Sequence, residues 1–302
     1  MDPKLIILYG DVGPTPWKKA QNLIDGQMTC GYREYARRFG CIVYMNPQRV
    51  YQEWESCITT AKGVIHFVEQ YPEAVVWAVK HAPTRDETIL KHIPNRKLYY
   101  SCCNQNMYNA YCDVSLVDSA KRLKKNAKLF FKGKDEEFWH PTGAKKVYDY
   151  LLIGLRGDKN EAFFLNKLNQ VKGKRTILWI GGGEAKKKIR TKHSVVMTPR
   201  IRPSEVRDLI STAKVGVIFT ELGEGFPQSF LEMTICGVPV VYHEKAPRND
   251  IYCRPENSVL ANRTNLVEKA EELLGDYNAE RCREVAIEHY SLKKSFEHLR
   301  SL

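Results

Sequence analysis

The sequence lacks most of the features that would take a chain out of the globular class. Glycine (19) and proline (14) are scarce among its 302 residues, and 43% of the residues are apolar, which excludes collagen-like, low-complexity and disordered chains. Long apolar stretches are missing: runs such as LIILYG (5–10) and VGVIF (215–219) fall far short of the roughly 18 to 20 residues that span a bilayer. The opening MDPKLIILYGD has no basic segment followed by an apolar stretch and a small-residue cleavage site, so export by a signal peptide is not expected. The nine cysteines (Cys30, Cys41, Cys57, Cys102, Cys103, Cys112, Cys236, Cys253 and Cys282) include no CxxC pair and no zinc-site spacing. They read as reduced thiols in a cytosolic protein, mostly filling the core. Acidic residues are the scarcer charge, 35 against 47 Lys and Arg, for a net +12. That excess favours nucleotides, nucleic acid or anionic membrane surfaces as partners without choosing among them, and simple solubility would account for it equally well.

A length of 302 residues predicts two domains at roughly 150 residues each. Strand-like runs alternate with helical patterns. LIILYG (5–10), CIVYM (41–45), GVIHFV (63–68), KLYYS (97–101), DVSLV (113–117) and KLFFKG (128–133) read as strands, with a helix over GYREYARRF (31–39). After EEFWHPTGAKK (136–146) the pattern restarts with VYDYLLIG (147–154), TILWIGGG (176–183), SVVMT (194–198), VGVIFT (215–220) and VPVVYH (238–243). Helices are expected between them over 158–171, 204–213 and 228–236, and the chain closes with the amphipathic runs LVEKAEELLG, AERCREVAIEHY and LKKSFEHLRSL. Such alternation is the mark of βαβ units and parallel sheets. Two doubly wound domains, 1–142 and 143–302, are expected to face each other across a cleft, with the last helix packing back on the first domain. Ligands of open α/β sheets sit at the carboxyl ends of the strands.

The richest segment is EGFPQSFLEMTICGVPVV (224–241). Gly225 allows close backbone approach and Pro227 suits a first helical turn, so a helix N-terminus with free N–H groups is expected there, a site for phosphate. Glu224 precedes that start, and Glu232 lies about 7 Å along the helix axis beyond Pro227. Carboxylates at that spacing can accept hydroxyls of a sugar and a ribose, although the pair alone reads nearly as well as two solvated glutamates. In LLIGLRGDKN (151–160) a strand ends in glycine and is followed by Arg156 and Lys159, a planar fork and a point charge able to hold a diphosphate. Each by itself also fits a solvated surface. IGGGE (180–184) is a weak nucleotide signal, and the basic run AKKKIRTK (185–192) fits either a solvated loop or a contact with nucleotides or anionic lipid.

The order G-x-R-x2-K (154–159), GGGE, VVMTPRIRPSEVRDLI (195–210) and EGFP-x4-E-x4-G-x-P-V-V resembles the nucleotide-binding half of GT-B glycosyltransferases of family 4. CDVSLVDSAKRL and LFFKGKDEEFWHP, with Ser119, Gly133, Asp135, Trp139 and Pro141, resemble the family's segment that closes the first domain. The likeness covers residues 112–300 well and 1–111 loosely, and the short chain resembles minimal members of the family, virus-encoded ones included. It implies an α/β fold of two Rossmann-like domains and retaining transfer of a hexose from a nucleotide diphosphate sugar, of the UDP-glucose or GDP-mannose type, to a hydroxyl of a glycan or glycoconjugate, with no metal and no other cofactor. The resemblance implies catalytic roles for Glu224, Arg156 and Lys159. Glu232 would hold the ribose, and Gly225, Phe226, Pro227 and Gln228 would meet the sugar and distal phosphate. The base would lie near Pro199 to Ile201, including Arg200, and Gly13 would line the phosphates.

Two positions depart from the family pattern. The first loop reads GDVGPTPWKK, with Gly10 and Gly13 apart, and after LYYS stand Cys102, Cys103 and Asn104 where many members carry a histidine. His66 lies in a different run and reads as a core or cleft-wall residue. A DNA-modifying glucosyltransferase and a nucleotide-sugar binder that has lost transfer remain as alternatives. The basic residues do not gather on one recognition helix, against plain nucleic-acid binding. The protein is expected in the cytosol, with the basic run as a peripheral membrane contact.

Overall fold

A computed structural model describes residues 2–10, 31–45, 52–80, 85–101, 111–117, 127–154, 160–184, 189–199, 201–220, 228–246 and 249–302. The chain divides into two compact units, residues Met1–Lys132 with Ser295–Leu302, and Gly133–Lys294.

Unit 1 runs β1 (Leu5–Gly10), α1 (Tyr32–Phe39), β2 (Gly40–Tyr44), β3 (Glu55–Cys57), α2 (Ala61–Glu69), β4 (Val75–Lys80), a 3-10 turn (Arg85–His92), β5 (Lys97–Ser101), β6 (Val114–Val117) and β7 (Ala127–Leu129). All pairings are parallel, in the order β3-β2-β1-β4-β5-β6-β7, which reverses direction between β1 and β4 as doubly wound sheets do. Parallel strands are buried on both faces and therefore read as near-continuous apolar runs. One face packs Ile6, Leu8, Val43, Val76 and Ala78 against Val64 and Val68 of α2.

The other face is aromatic. Trp77 in β4 meets Tyr32, Tyr35 and Phe130 edge-on, with ring centroids 5.1, 5.3 and 5.4 Å away. In α1, Tyr32, Tyr35 and Ala36 are buried, the i, i+3, i+4 spacing that makes one helical stripe. Lys132 is buried beside them. Its Nζ lies 4.2 Å from the centre of the Tyr32 ring and 4.9 Å from that of Tyr100, and donates to Tyr32 Oη at 3.1 Å, so the rings and the hydroxyl stand in for water around the charge. Residues 295–302 complete this face. Phe296 stacks on Phe39 at 4.0 Å and His298 on Phe131 at 5.0 Å. Ser295 Oγ donates to Phe131 O at 2.6 Å, which leaves Tyr35 Oη as the donor of the 2.6 Å bond to Ser295.

Unit 2 runs β8 (Tyr148–Ile153), α3 (Glu161–Leu168), β9 (Thr176–Ile180), a short 3-10 turn (Gly182–Glu184), β10 (Ser194–Met197), α4 (Pro203–Ile210), β11 (Ala213–Ile218), α5 (Gln228–Ile235), β12 (Val240–His243), α6 (Asn249–Tyr252), β13 (Ser258–Ala261), α7 (Leu266–Gly275), α8 (Ala279–Tyr290) and α9 (Leu292–Ser301). The unit boundary falls within α9. The second sheet is also wholly parallel, in the order β10-β9-β8-β11-β12-β13, and it reverses direction between β8 and β11. The two sheets thus share one wiring. No described helix is long and apolar enough to cross a membrane.

Three departures from the expected elements have physical causes. GVIHFV is not a strand but the body of α2. Thr60 caps it by accepting from Gly63 N at 3.2 Å, and the buried pair Val64 and Val68 stands four residues apart, the helical interval. His66 is therefore exposed on a helix and is not a core residue. The central strand VVWAVK, a short apolar run that could equally be a buried helix, and the short strands Glu55–Cys57 and Ser258–Ala261 were not expected from sequence. KLFFKG is a strand only at its start, in β7.

At the amino ends of the second sheet, two carboxylates are fixed by hydrogen bonds. Burial pushes the Asp149 and Glu271 carboxyls up. Bonds from Lys214 and Thr176 to Asp149, and from Arg175 and Tyr150 to Glu271, outweigh this and hold both below the usual carboxylate range. A depressed folded-state value stabilises above the unfolded value, near 4, and is lost as pH falls through the folded one. The thermal midpoint is therefore expected to fall below about pH 4, and less steeply in Arg175→Met than in the native chain. Parallel pH profiles of the two would refute this account.

Candidate functional site

The candidate site is built on α5 and the carboxyl ends of the strands around the reversal point of the second sheet. Gly216 in β11 brings α5 close, because a Cβ there would collide with the Met233 sulfur. Ser229 to Ile235 are all buried, so the helix is enclosed on every side rather than lying on a surface. At its carboxyl end, burial pushes the Cys236 thiol up to about 12 although the Arg283 guanidinium beside it pulls the other way. Arg283 itself donates to the carbonyl of Ile235, which the helix end leaves open, and ties it to the carbonyls of Trp139 (3.0 Å) and Glu136 (3.3 Å).

Glu232 sits in the middle of α5 with 3% of its surface exposed. Its Oε1 is 2.9 Å from Nζ of Lys134, which has no exposed surface at all. The ammonium also lies 5.0 Å from the centre of the Trp139 ring. The backbone places Lys134 there: its N–H donates to Tyr290 O at 3.1 Å and its carbonyl accepts from Leu292 N at 2.7 Å. Neighbouring Gly133 comes so close to the Ser291 carbonyl that a side chain would not fit. A desolvated carboxylate is tolerable only when paired, and Lys134 supplies Glu232 with one such partner. One helical turn earlier, Gln228 opens α5 on the same face, and its Nε2 is shielded from solvent with no hydrogen-bond partner among the described residues.

The carboxyl ends of the strands are locked together. Trp179 Nε1 donates to Gly154 O at 3.1 Å and Gly154 N to Ile180 O at 3.1 Å. Thr198 closes the turn after β9 by accepting from Gly181 N at 3.2 Å and Gly183 N at 2.9 Å. Asn160, in the left-handed region at φ 60°, precedes α3 and donates to Phe219 O at 3.0 Å. That bond ties the start of α3 to the end of β11. Phe219 and His243 then meet edge-on at 4.5 Å, with Lys245 N donating to His243 Nδ1 at 3.0 Å.

Of the residues expected in the site, Glu232 and Gln228 are thus one turn apart on one enclosed helix. Arg156, Lys159, Arg200, Glu224, Gly225, Phe226, Pro227 and Gly13 lie outside the described residues, as do Cys102 and Cys103. In sequence, 155–159 separate Gly154 from Asn160 and 221–227 separate Thr220 from Gln228, four positions that belong to the neighbouring strands β8 and β11 and the helices they lead to. Lys134 and Asn160 were not expected. Lys134 stands between the recognised Gly133 and Asp135, and a lone lysine carries no sequence sign of burial. Among the described residues no group of three or more His, Cys, Asp and Glu gathers as a metal site would.

Residues 150–276 match the family model described as glycosyl transferases group 1. No curated protein matches the chain in sequence. Among solved structures, HepE from Anabaena in complex with UDP and glucose is 10% identical, covers 99% of this chain and 98% of its own, and superposes with a TM-score of 0.66. An α-glucosyltransferase in complex with UDP and a 13-mer DNA is 12% identical over 100% and 99% of the two chains, with a TM-score of 0.68. The lipopolysaccharide outer core galactosyltransferase WaaB is 12% identical over 98% and 99%, with a TM-score of 0.60. At such identities the likeness is one of fold, and that fold is the GT-B one, with two Rossmann-like α/β units.

Proposed function

We propose that the protein is a glycosyltransferase of the group 1, family 4-like kind, moving a hexose from a nucleotide diphosphate sugar, UDP-glucose or GDP-mannose in type, to a hydroxyl of a glycan or glycoconjugate. Unit 2 is the donor module and unit 1 serves the acceptor. The observation that carries the reading is the enclosed Glu232 carboxylate, ion-paired with Lys134 at 2.9 Å on the helix that follows the sheet's reversal point, within the stretch that matches the family model. A fixed carboxylate in a dry site is a strong acceptor for paired ribose hydroxyls.

In this reading Arg156 and Lys159 hold the diphosphate, where positive charge is needed as it departs, and no metal is required. Gly225, Phe226, Pro227 and Gln228 face the distal phosphate and sugar, Glu224 the sugar hydroxyls, and the segment about Arg200 the base. The anomeric carbon–phosphate oxygen bond breaks as the acceptor oxygen bonds to that carbon on the same face. Configuration is retained because the new bond forms on the face that the phosphate leaves, and the acceptor proton passes to the departing phosphate.

Thermal unfolding in EDTA against UDP, GDP, ADP and their sugars tests the donor site. A ligand at 100 times its Kd adds about 2.7 kcal/mol, a midpoint shift of a few degrees. One nucleotide series should give that shift, and Arg156→Ala/Lys159→Ala should abolish it. No shift with any series would sink the assignment.

A second reading, glucosyl transfer to DNA, draws on the net +12 charge and on the likeness to the DNA-bound α-glucosyltransferase. Labelled UDP-glucose offered with duplex DNA separates the two: label on the duplex would favour DNA as acceptor.

A further inference from the structure

We propose that the amino-end edge of the second sheet is a docking face for an anionic lipid bilayer. Two connections meet there, the one from α3 to β9 and the one leading into β10. Lys172 and Lys174 come from the first, with Lys167 in the last turn of α3 before it, Arg190 and Lys192 come from the second, and all five are exposed. The connections form one rigid platform. Asn169 Nδ2 donates to Arg190 O at 3.0 Å, and Asn169 Oδ1 accepts from Lys192 N at 2.9 Å and Thr191 Oγ1 at 3.1 Å. The buried His193 ring adds two bonds, accepting from Arg175 N at Nδ1 (3.0 Å) and donating from Nε2 to Leu168 O (2.9 Å).

The charge of this platform is uncompensated. The nearby carboxylates are already taken, Asp149 by Lys214 at 2.8 Å and Glu271 by Arg175. Residues 166–175 and 189–193 contain no Asp or Glu. None of the five exposed cations has an ion pair with a carboxylate among the described residues.

Apolar surface adjoins the cations at the same edge. Val147, just before β8, is 50% exposed, and its carbonyl accepts from Thr176 Oγ1 at 3.0 Å. Basic residues beside an exposed aliphatic one fit a headgroup layer and the acyl boundary beneath it. Nucleic acid fits less well. Single strands want aromatic platforms and phosphate readers favour the arginine fork. Here four of the five cations are lysines, and no large aromatic of unit 2 is exposed among the described residues. The face lies at the amino ends of the strands, whereas the donor segments follow the carboxyl ends, so docking and donor binding are separable.

The test is co-sedimentation of the whole chain with vesicles of phosphatidylcholine alone and of equal phosphatidylcholine and phosphatidylglycerol, with and without competing duplex DNA. The native chain should sediment with the mixed vesicles, not with the neutral ones, and be released by salt. Lys172→Glu/Lys174→Glu/Arg190→Glu/Lys192→Glu should weaken this by about 100-fold or more, with the thermal midpoint and the nucleotide-induced shift retained. Failure to sediment with mixed vesicles, equal sedimentation with neutral ones, or an undiminished variant would overturn the proposal. So would duplex DNA that displaces the vesicles and binds through the same four residues, which would make the face a nucleic-acid surface.

Discussion

Lys134→Met is expected to destabilise the protein by about 3–5 kcal/mol, because it removes the cation that stands 2.9 Å from a buried carboxylate. Glu232 is 3% exposed and Lys134 fully enclosed, so bulk water screens the pair little. Adding Glu232→Gln to that variant should recover most of the loss, since a neutral amide beside methionine carries no uncompensated charge. Urea unfolding of the native chain, both single variants and the double variant closes the cycle. A cost under about 1 kcal/mol for Lys134→Met would mean that the pair behaves as an exposed ion pair. In the proposed function the same variant should weaken donor binding, because the ribose acceptor would lose the group that fixes its position.

Trp77→Ala should cost a similar amount, about 3–5 kcal/mol, by opening a cavity at the centre of the first sheet. Trp77 is fully buried and holds Tyr32, Tyr35 and Phe130 edge-on around it, so few neighbours are free to collapse inward. Trp77→Phe is a sharper probe. The indole Nε1 is buried without a hydrogen-bond partner among the described residues, and such an orphaned donor costs about 1–3 kcal/mol. Phenylalanine removes that cost while losing part of the ring packing, so the variant is expected within about 1 kcal/mol of native. A Phe variant as damaged as the Ala one would show that the N–H is satisfied after all.

Five of the six strands of the second sheet were readable from sequence because they are short apolar runs set off by glycine or proline, as in TILWIGGG and VPVVYH, whereas the edge strand SVLA (β13) was not. The helix over 228–236 was readable too, and it appears as α5 (Gln228–Ile235). The first sheet was harder. GVIHFV and VVWAVK carry four and five apolar residues of six, and only the Thr60 cap and the four-residue spacing of Val64 and Val68 separate helix from strand there. Glu232 could be placed on a helix, but its enclosure could not. That depends on Gly216 drawing α5 onto the sheet and on Lys134 arriving from a segment nearly a hundred residues earlier. Asn160 escaped notice for a related reason, since its role is a single bond to a carbonyl at the end of β11.

The composition of unit 1 bears on how the chain matures during synthesis. Residues 295–302 belong to it, yet they leave the ribosome only after the whole of unit 2. Until then Tyr35, Phe39 and Phe131 lack the partners that Ser295, Phe296 and His298 provide. At roughly 5–20 residues per second, the intervening stretch takes on the order of ten seconds to appear. The unit made first is thus the one completed last, and for that interval its aromatic face is the part of the nascent chain most in need of a chaperone.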